Sequence, residues 1–294
     1  MTTQAGEAPA CPSVPLAHLE TVWFQVAGTI CNLRCTHCFI ACSPDNHHHA
    51  MMSLEEVRVV LDEASRLGVR DYYFTGGEPF MNREMLPILE ATLRVGPATV
   101  LTNGLFFDPD TCARLRRLAE ASEYSLDLRV SLDGWGPDDH DRIRGAGTYS
   151  RAVDGIRNLA TAGMNPVITV TETAEGIAGE EGRGRFLERL RALGLNRPRL
   201  KVLPLFLIGA EAERTRRYRP DERLTTDMVT AADLERLQCS TGRMVTARGV
   251  YVCPILIEEP GALMGRTISE TLRPFGLRYG ACHTCHVQGV TCRT

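Results

Sequence analysis

Strand signals and helix signals alternate through most of this sequence, and that alternation is the strongest constraint on its fold. Short segments rich in apolar and β-branched residues predict six strands, and helix signals separate them. Repeated β–α units imply parallel strands with the helices packed outside the sheet. The six predicted strands are residues 22–27, 71–75, 98–102, 126–132, 167–171 and 200–207.

The length of this repeat favours an incomplete barrel. A closed eight-fold barrel takes about 250 residues, whereas the repeat here occupies only residues 22–208 of a 294-residue chain. We therefore predict the α/β class and a partial (β/α)6 barrel of the TIM type. In such a sheet, functional residues lie at the carboxyl ends of the strands.

Two helix starts are visible at the level of single residues. Ser53 and Glu56 have the spacing of a capping box, in which each side chain accepts a hydrogen bond from the other residue's backbone N–H. Asp108 precedes Pro109, the order expected for an N-cap followed by the first helical residue. These signals predict helices after the first and third strands.

The rest of the chain divides into three parts. Residues 1–21 predict a flexible tail, and residues 209–238, rich in charged side chains, predict a linker or lid. Residues 239–294 hold five cysteines and few apolar runs. A segment of that kind needs a metal or another cross-link to fold, so we predict a small cysteine-rich domain there.

Charge and hydropathy narrow the expected partners and location. A formal net charge of -3 argues against nucleic acid as the main partner. No apolar run approaches the about 20 residues that span a bilayer, and the N-terminus lacks the apolar core of a signal peptide. We expect a soluble, cytoplasmic protein without a membrane or nucleic-acid partner.

The cysteines predict a metal centre. Eleven cysteines in a chain without a secretion signal indicate metal binding rather than disulfides. Cys31, Cys35 and Cys38 lie within eight residues just after the first strand, and three thiolates there can hold a [4Fe–4S] cluster with one iron left open. The alternative is a zinc knuckle. Its fourth ligand would come from His37, Cys42 or the run 47–49.

Two further motifs lie at predicted strand ends. Gly76-Gly77-Glu78-Pro79 follows the second strand; glycine allows a close backbone approach, and Glu78 with nearby carbonyls can accept hydrogen bonds from an ammonium group. Ser131-Leu132-Asp133-Gly134 ends the fourth strand, and His140-Asp141-Arg142-Ile143-Arg144-Gly145 follows it. Both motifs therefore belong to the same edge of the predicted sheet as the cysteines.

With these motifs in this order, residues 22–208 resemble the core of the radical S-adenosylmethionine (SAM) superfamily. The resemblance implies that Cys31, Cys35 and Cys38 hold a [4Fe–4S] cluster whose free iron binds SAM. It also implies that the segment from Gly76 to Pro79 binds the methionine amino group of SAM.

The resemblance suggests roles for four more residues. Ser131 is expected to meet SAM, and Arg144 to pair with its carboxylate or to order the loop, with a structural ion pair as the alternative. The position of His37 is usually aromatic in the family and lies near the adenine, so this contact departs from the family pattern. Asn103, at the end of the third strand, completes the expected cofactor-binding set.

The resemblance also implies a type of chemistry. An external one-electron reductant of the flavodoxin or ferredoxin type reduces the cluster, which cleaves SAM to methionine and a 5′-deoxyadenosyl radical. That radical takes a hydrogen atom from an unactivated carbon. The cofactor carries this reaction, while the protein positions the substrate and excludes water.

The second cysteine group resembles the auxiliary-cluster extension called Twitch, the short form of the SPASM domain. The resemblance implies a second [4Fe–4S] cluster, with a structural zinc site as the alternative. The expected ligands are Cys239, Cys253, Cys282 and Cys285, with Cys292 as an alternative for the fourth.

The remaining cysteines and histidines have simpler interpretations. Cys42 and Cys292 are candidate hydrogen-atom donors, against an alternative as spare thiols. Cys112 shares an apolar helix face and is predicted to be buried, and Cys11 is predicted to be idle in the tail. The histidine run 47–49 is predicted to be an exposed loop.

Four functions stay open at this point. Too few residues precede Cys31 for a separate peptide-binding domain, which favours a small substrate such as a sugar or aminocyclitol of the aminoglycoside type. The favoured reaction is epimerisation at a carbinol carbon, and oxidation of the same carbon is the next. Peptide maturation and a non-enzymatic metal-binding scaffold are the others. The candidate substrate-facing residues are Asp133, Glu172 and Arg144.

Overall fold

The computed structural model describes residues 11–289. Within that part of the chain the strands are β1 (Ser13–Val14), β2 (Thr21–Gln25), β3 (Asp71–Thr75), β4 (Ala98–Thr102), β5 (Leu126–Ser131), β6 (Val167–Thr171), β7 (Arg199–Leu203), β8 (Gly242–Thr246), β9 (Gly249–Tyr251), β10 (Leu263–Gly265) and β11 (Phe275–Gly276). The helices are α1 (Leu54–Arg66), α2 (Met85–Thr92), α3 (Pro109–Glu120), α4 (Pro137–Arg144), α5 (Thr148–Thr161), α6 (Gly179–Ala192), α7 (Gly209–Arg214), α8 (Ala231–Arg236) and α9 (Gly280–Val287).

Six parallel strands, β2 to β7, lie side by side in chain order, which confirms the predicted α/β fold with a partial parallel sheet. β7 forms one edge of the sheet and, among the described strands, β10 forms the other, so the sheet stays open. Apolar side chains are buried on the face of the sheet that packs against the helices. Fully buried examples are Val22, Phe24, Phe74, Val100 and Val130.

The observed strand ends agree with the predicted ones at most positions. Residues 71–75, 98–102 and 167–171 match at both ends. The last predicted strand, 200–207, was wrong at its end because β7 stops at Leu203. Pro204 follows, and proline has no N–H to donate to a strand ladder.

The predicted helix starts are confirmed by their hydrogen bonds. Ser53 Oγ accepts from the Glu56 backbone and the Glu56 side chain accepts from Ser53. Asp108 accepts from the Thr111 N–H ahead of α3, on which Cys112 is fully buried as predicted. Each such cap contributes about 1 kcal/mol. Across residues 11–289, no helix combines the length and apolar character needed to cross a membrane.

The C-terminal segment extends the same sheet. β8 pairs in parallel with β2, and β9 and β10 continue the sheet in antiparallel pairs. At the other end of the chain, part of the tail that was predicted to be flexible is paired: β1 lies antiparallel to β11. Leu277 N–H also donates to the Pro12 carbonyl at 2.8 Å. The first described residues are therefore hydrogen-bonded to the segment around β11.

Residues 209–238, the predicted linker or lid, pack against α9. The Tyr218 hydroxyl lies 2.6 Å from Thr284 Oγ1, and Arg223 Nη1 donates to the Arg278 carbonyl at 2.6 Å. Arg216 pairs with Glu222 within the segment at 2.6 Å. Much of the charge of this segment is therefore balanced locally.

Candidate active site

The carboxyl ends of the parallel strands surround a cavity of about 220 Å³. The last residues of five strands line it: Thr75, Thr102, Ser131, Thr171 and Leu203. The loop that follows β2 brings Cys31, Cys35 and Cys38 to the same cavity. The cysteines and the strand ends therefore meet where the parallel topology predicts a functional site.

The sulfur atoms of this loop are spaced too widely for one zinc ion. Tetrahedral zinc, with Zn–S bonds of about 2.3 Å, holds its sulfurs about 3.8 Å apart. Among the described residues, no three ligand atoms from this loop's cysteines and His37 lie within 4.8 Å of one another. The spacing suits thiolates that bind separate metal atoms of a cluster.

Cys42 lies beside Cys38 rather than across the cavity from it. Cys42 N–H donates to Cys38 Sγ at 3.4 Å, and the Cys42 sulfur lies 3.8 Å from the Gly76 carbonyl oxygen. The contact between the two thiols lowers the pKa of Cys38 and raises that of Cys42 above its usual range. The Cys42 thiol is thus held on the side of the cavity formed by the cysteine loop.

Gly76 and Gly77 allow the cysteine loop to pack directly on the end of β3. A Cβ atom on Gly77 would lie 1.9 Å from the Ile30 carbonyl oxygen, and Gly76 has a φ of +135°. Gly77 N–H donates to the Gly28 carbonyl at 2.9 Å. Only glycine fits these positions without strain, and the two residues form part of the cavity wall.

Glu78 lies behind this wall and connects two strand ends. Its fully buried carboxylate accepts from Thr102 Oγ1 and from Asn103 N–H, both at 2.8 Å, and from Phe80 N–H at 3.1 Å. Burial raises the pKa of Glu78 to about 7. Pro79 is buried too, and neither residue belongs to the described lining of the cavity. The predicted ammonium contact of Glu78 therefore stays a prediction.

Asp133 forms the centre of a buried ion pair below the cysteine loop. Its Oδ2 accepts from Arg144 Nε at 2.7 Å and lies 3.0 Å from His37 Nε2. Its Oδ1 accepts from Thr171 N–H at 2.8 Å. Burial alone would raise the pKa of Asp133, but Arg144 and His37 hold it below its usual range. The carboxylate therefore stays ionised and joins β5, β6 and the cysteine loop.

Arg144 also reaches the first cysteine group. Its Nη1 lies 4.0 Å from Cys35 Sγ, and the preceding residue, Ile143, accepts from Thr36 N–H at 2.9 Å. Arg144 is the last residue of α4, a helix that sequence analysis missed because six of its eight residues are charged or histidine and form no apolar stripe. These contacts favour the loop-ordering role among those expected for Arg144.

The other predicted residues occupy separate places. Asn103 Nδ2 donates to Asn32 Oδ1 at 2.8 Å, which ties the end of β4 to the cysteine loop, and Ser131 and His37 line the cavity. Glu172 lies instead in a neighbouring cavity of about 520 Å³, where burial raises its pKa. Cys292 lies outside the described residues.

This arrangement corresponds to a known family. The Radical SAM superfamily matches residues 26–177, just over half of the chain, including the cysteine loop, the two glycines and the Asp133–Arg144 pair. The chain belongs to the radical SAM superfamily. Membership implies an enzyme that uses a [4Fe–4S] cluster, SAM, a reductant and a substrate.

Relatives of this radical SAM protein have several functions. It is 32% identical over 150 residues to the mycofactocin maturase MftC of Mycobacterium tuberculosis (strain ATCC 25618 / H37Rv), covering 50% of this chain and 37% of that protein. It is 27% identical over 158 residues to the GTP 3′,8-cyclase of Petrotoga mobilis, covering 51% and 46%. The alignments thus span less than half of these relatives. In fold it is similar to Streptococcus suis SuiB bound to the precursor peptide SuiA, with a TM-score of 0.66, 14% identity, and coverage of 94% of this chain and 72% of that chain.

The radical SAM cavity also contains residues that the sequence analysis did not single out. Arg129 and Lys201 line it, and Lys201 is the only lysine in the chain. The Arg129 guanidinium lies 5.1 Å from the centre of the Tyr73 ring. The sequence did offer a signal for Arg129, because it is a charged residue within the otherwise mostly apolar strand β5. Much of the remaining wall is apolar, including Trp23, Leu33, Phe39, Leu101, Leu205 and Phe206.

The second cysteine group lines a smaller cavity of about 30 Å³. Cys282 and Cys285 lie one turn apart on α9, which sequence analysis did not predict. Cys239 precedes β8 and Cys253 follows β9. In the described part of the chain, no three of these four sulfurs lie within 4.8 Å of one another, so their spacing also exceeds that of a zinc site.

A buried cation lies next to this second group. Arg243 is 1% exposed, and its guanidinium donates to the carbonyl oxygens of Cys239, Gly242, Thr271 and Arg273. Burial lowers the pKa of Arg243 to about 10, and the nearby Cys239 and Cys253 sulfurs act in the opposite direction. No carboxylate of the described residues forms an ion pair with Arg243. The groups near it that can become negative are the Cys239 and Cys253 thiols.

Proposed function

We propose that this protein is a radical SAM enzyme that removes a hydrogen atom from a peptide substrate. The wall of its cavity carries the proposal. That wall is largely apolar, contains Arg129 and Lys201, and includes no aspartate or glutamate among its described residues. Such a wall suits an apolar side chain next to a negative group, which a peptide offers as an acidic side chain or a free carboxyl terminus.

An amino sugar or aminocyclitol, the substrate class favoured by the sequence, fits this wall less well. Each of its buried hydroxyl groups needs a partner, because an unpaired buried polar group costs about 1–3 kcal/mol, and polar partners lie only along the strand ends, such as Thr75, Ser131 and Thr171, while the rest of the wall is largely apolar. Its ammonium groups would also meet Arg129 and Lys201, which carry the same sign of charge. Epimerisation would further need a thiol on the far side of the substrate. Among the described lining residues, Cys42 is the one cysteine outside the Cys31–Cys38 motif, and it lies beside Cys38.

Two proteins of similar fold support a peptide substrate. SuiB was solved with its precursor peptide SuiA. The structure of anSMEcpe, with a TM-score of 0.59, 15% identity and coverage of 85% of this chain and 79% of that chain, contains SAM and the Cp18Cys peptide. MftC, a relative in sequence, is named as a maturase. The present chain shares the fold that these proteins use for such substrates.

In this proposal Cys31, Cys35 and Cys38 hold the [4Fe–4S] cluster. When bound, that cluster supplies the electron that cleaves SAM and so produces the radical that takes the hydrogen atom. The backbone of Gly76 and Gly77 would offer carbonyls to the SAM amino group, and His37, Asn103 and Ser131, which line the same cavity, would contact the rest of the cofactor. Asp133 and Arg144 act as positioning residues, because they contact His37 and Cys35 of the cysteine loop.

The second cysteine group is proposed to hold an auxiliary [4Fe–4S] cluster through Cys239, Cys253, Cys282 and Cys285. The buried Arg243 supports ionised, metal-bound thiolates at this site, and the sulfur spacing favours a cluster over zinc. Ile255 lines both cavities, so the two cavities share one wall residue. A cluster there would supply an electron acceptor. One hydrogen atom would leave to the 5′-deoxyadenosyl radical, and an electron to the cluster with a proton to solvent would account for the second, so we expect a product with two hydrogen atoms fewer than the peptide.

The test is substrate-dependent cleavage of SAM by the anaerobically reconstituted, reduced enzyme. Short peptides encoded beside the gene are compared with a panel of aminocyclitols. We expect a peptide substrate to raise the rate of 5′-deoxyadenosine formation at least about tenfold, which corresponds to about 1.4 kcal/mol of activation free energy. We also expect the mass of the peptide to decrease by two units. Turnover of an aminocyclitol with no response to any peptide would contradict the proposal.

Lys201 provides the matched variants for this experiment. Lys201→Glu reverses the charge in the cavity and is expected to raise the KM for the peptide at least about tenfold, because a like charge opposes a carboxylate. Lys201→Arg keeps the charge and should change KM less than about threefold. Equal KM values for the two variants would show that Lys201 does not bind a carboxylate of the peptide, and the part of the proposal that requires an anionic group would be wrong.

A further inference from the structure

A second group of metal-ligand residues lies outside both cysteine sites. His48 and His49 belong to the loop after Cys42, and Glu258 belongs to the segment after β9. His48 Nδ1 lies 2.6 Å from Glu258 Oε2, and His49 Nε2 lies 3.5 Å from Glu258 Oε1. One ligand atom from each of the three residues lies within 4.8 Å of the others. The two cysteine groups are not this tightly clustered.

His49 is buried in a way that the protein alone does not explain. Its side chain has no exposed surface. The Ile257 backbone lies close to the ring, but neither ring nitrogen makes a well-formed hydrogen bond to a described residue. The facing Glu258 Oε1 is also buried without one. Each unpaired buried polar atom costs about 1–3 kcal/mol. Two such atoms 3.5 Å apart, one on a histidine and one on a carboxylate, indicate a missing shared partner.

The backbone holds His49 firmly in this position. His49 N–H donates to Thr29 Oγ1 at 3.0 Å, and Thr29 N–H donates back to the His49 carbonyl at 3.2 Å. A Cβ atom on Gly28 would lie 2.1 Å from that carbonyl oxygen. The Tyr251 ring lies at a centroid distance of 6.0 Å on another side of the imidazole. The ring is therefore preorganised, as a ligand must be to bind tightly.

We propose that His48, His49 and Glu258 bind a divalent transition-metal cation, of which zinc is the representative. Two imidazoles and one carboxylate suit zinc and its neighbours in the first transition row. Magnesium and calcium prefer oxygen ligands throughout. The proposal is independent of the substrate and of the second cluster, because none of these residues belongs to either cysteine group.

Arg248 competes with the cation and so provides a direct test. Its Nη1 lies 2.8 Å from His48 Nε2, which makes Nε2 an acceptor and leaves the proton on Nδ1, facing Glu258. A cation bound at Nδ1 displaces that proton and requires a proton on Nε2 instead. Arg248 must then turn away, and its exposed position allows it to do so.

The site would join two distant parts of the chain. The loop with His48 and His49 begins just after the first cysteine group, and Glu258 comes five residues after Cys253. A bound cation would fix the cysteine loop to the C-terminal segment at the side of the sheet near β9. A cation that binds only the folded state raises the free energy of unfolding, and this increase grows with the logarithm of the ratio of the free cation concentration to Kd.

The experiment measures zinc in protein whose cysteines already carry iron. The reconstituted holoprotein is dialysed against a series of zinc concentrations, and zinc and iron are counted by mass spectrometry. We expect about one zinc per chain, with affinity at least about tenfold weaker in Glu258→Gln and in His48→Ala. His47→Ala, an exposed neighbour outside the group, should bind like the wild type, and Arg248→Ala should bind more tightly.

The iron count identifies failures of a different kind. Iron per chain should be equal in all of these variants, since none changes a cysteine. If Glu258→Gln and His48→Ala bind zinc as the wild type does, the metal is elsewhere and the proposal is wrong. If neither the wild type nor Arg248→Ala binds zinc, the three side chains form a structural ion pair only and the proposal is wrong.

Discussion

The two cysteine groups differ in how their surroundings balance charge. Beside the first group, the Arg144 guanidinium is already paired with the buried Asp133 carboxylate at 2.7 Å. Beside the second, the described contacts of the buried Arg243 are all with carbonyl oxygens. The guanidinium beside the first group is therefore balanced before any thiol ionises, whereas the one beside the second stays a buried positive charge until cysteines supply the negative one.

This difference teaches which region depends on its metal. A buried charge without a counter-ion costs several kcal/mol, and metal-bound thiolates would offset that cost near Arg243. The first group rests on six parallel strands, while the second is carried by short elements such as β9 and α9. We expect removal of metal to unfold the C-terminal segment and to leave the parallel sheet in place.

Replacing the first cysteine group should have the largest effect. With Cys31, Cys35 and Cys38 all changed to Ala, iron should fall from about eight to about four per chain. SAM cleavage should decrease by at least about a thousandfold, while circular dichroism stays the same because the Asp133–Arg144 pair persists. Iron and sulfide analysis after anaerobic reconstitution provides the measurement. A fall from about four to none would mean that the second group holds no iron; Cys112→Ala is the matched cysteine control.

Replacing the second group should affect structure rather than SAM cleavage. We expect Cys282→Ala with Cys285→Ala to remove about four irons and to expose residues 239–289 to limited proteolysis. Reductive SAM cleavage without substrate should continue. Peptide mapping by mass spectrometry locates the cuts. Protection equal to that of the holoprotein would show that Arg243 needs no thiolate partner, and the contrast between the regions would disappear.

Breaking the ion pair of the first region should destabilise the whole protein. Arg144→Met leaves Asp133 charged and buried, and we expect a loss of about 3–5 kcal/mol in the free energy of unfolding. Adding Asp133→Asn should restore most of it, because the unpaired charge is gone. Urea unfolding of the two single variants and the double variant measures the coupling. Simple additivity would mean that the pair does not balance charge.

The smallest effect is a pH dependence from Glu78. Its pKa in the folded protein is about 7 against an ordinary 4.5, so the folded state binds protons more tightly than the unfolded state. The contribution of Glu78 to stability is therefore greatest below about pH 4.5 and is lost as pH rises towards 7, by about 3 kcal/mol in total. Glu78→Gln should lack this component when unfolding is compared at pH 5 and pH 7. An identical slope in both proteins would assign the effect elsewhere.

The sequence predicts those parts of the fold that local patterns determine. Runs of β-branched or aromatic residues locate β3, β4 and β6, and caps locate α1 and α3, because these signals act within a few residues. α4 escaped prediction because its contact with the cysteine loop, rather than an apolar stripe, stabilises it. The paired residues of β1 also escaped, because their partner strand lies at the opposite end of the chain.

The same distinction applies to the functional residues. The cysteine spacing and the glycine pair are short motifs, so the sequence indicates them directly. Arg129 and Lys201 come together only through the order of the strands, and no local signal joins them. His49 was predicted to be exposed with its neighbours, and this was wrong: Thr29 and Glu258, from other parts of the chain, enclose it.

The pairing of β2 with β8 also imposes an order on biosynthesis. β2 precedes the cysteine loop, and of its two neighbours in the sheet β8 is translated about 220 residues later. At ordinary rates of elongation this delay lasts roughly 10 to 45 seconds. During that interval one edge of β2 has no strand beside it, and an unpaired edge invites aggregation. A nascent chain of this design therefore gains from a chaperone that shields the edge until the last strands leave the ribosome.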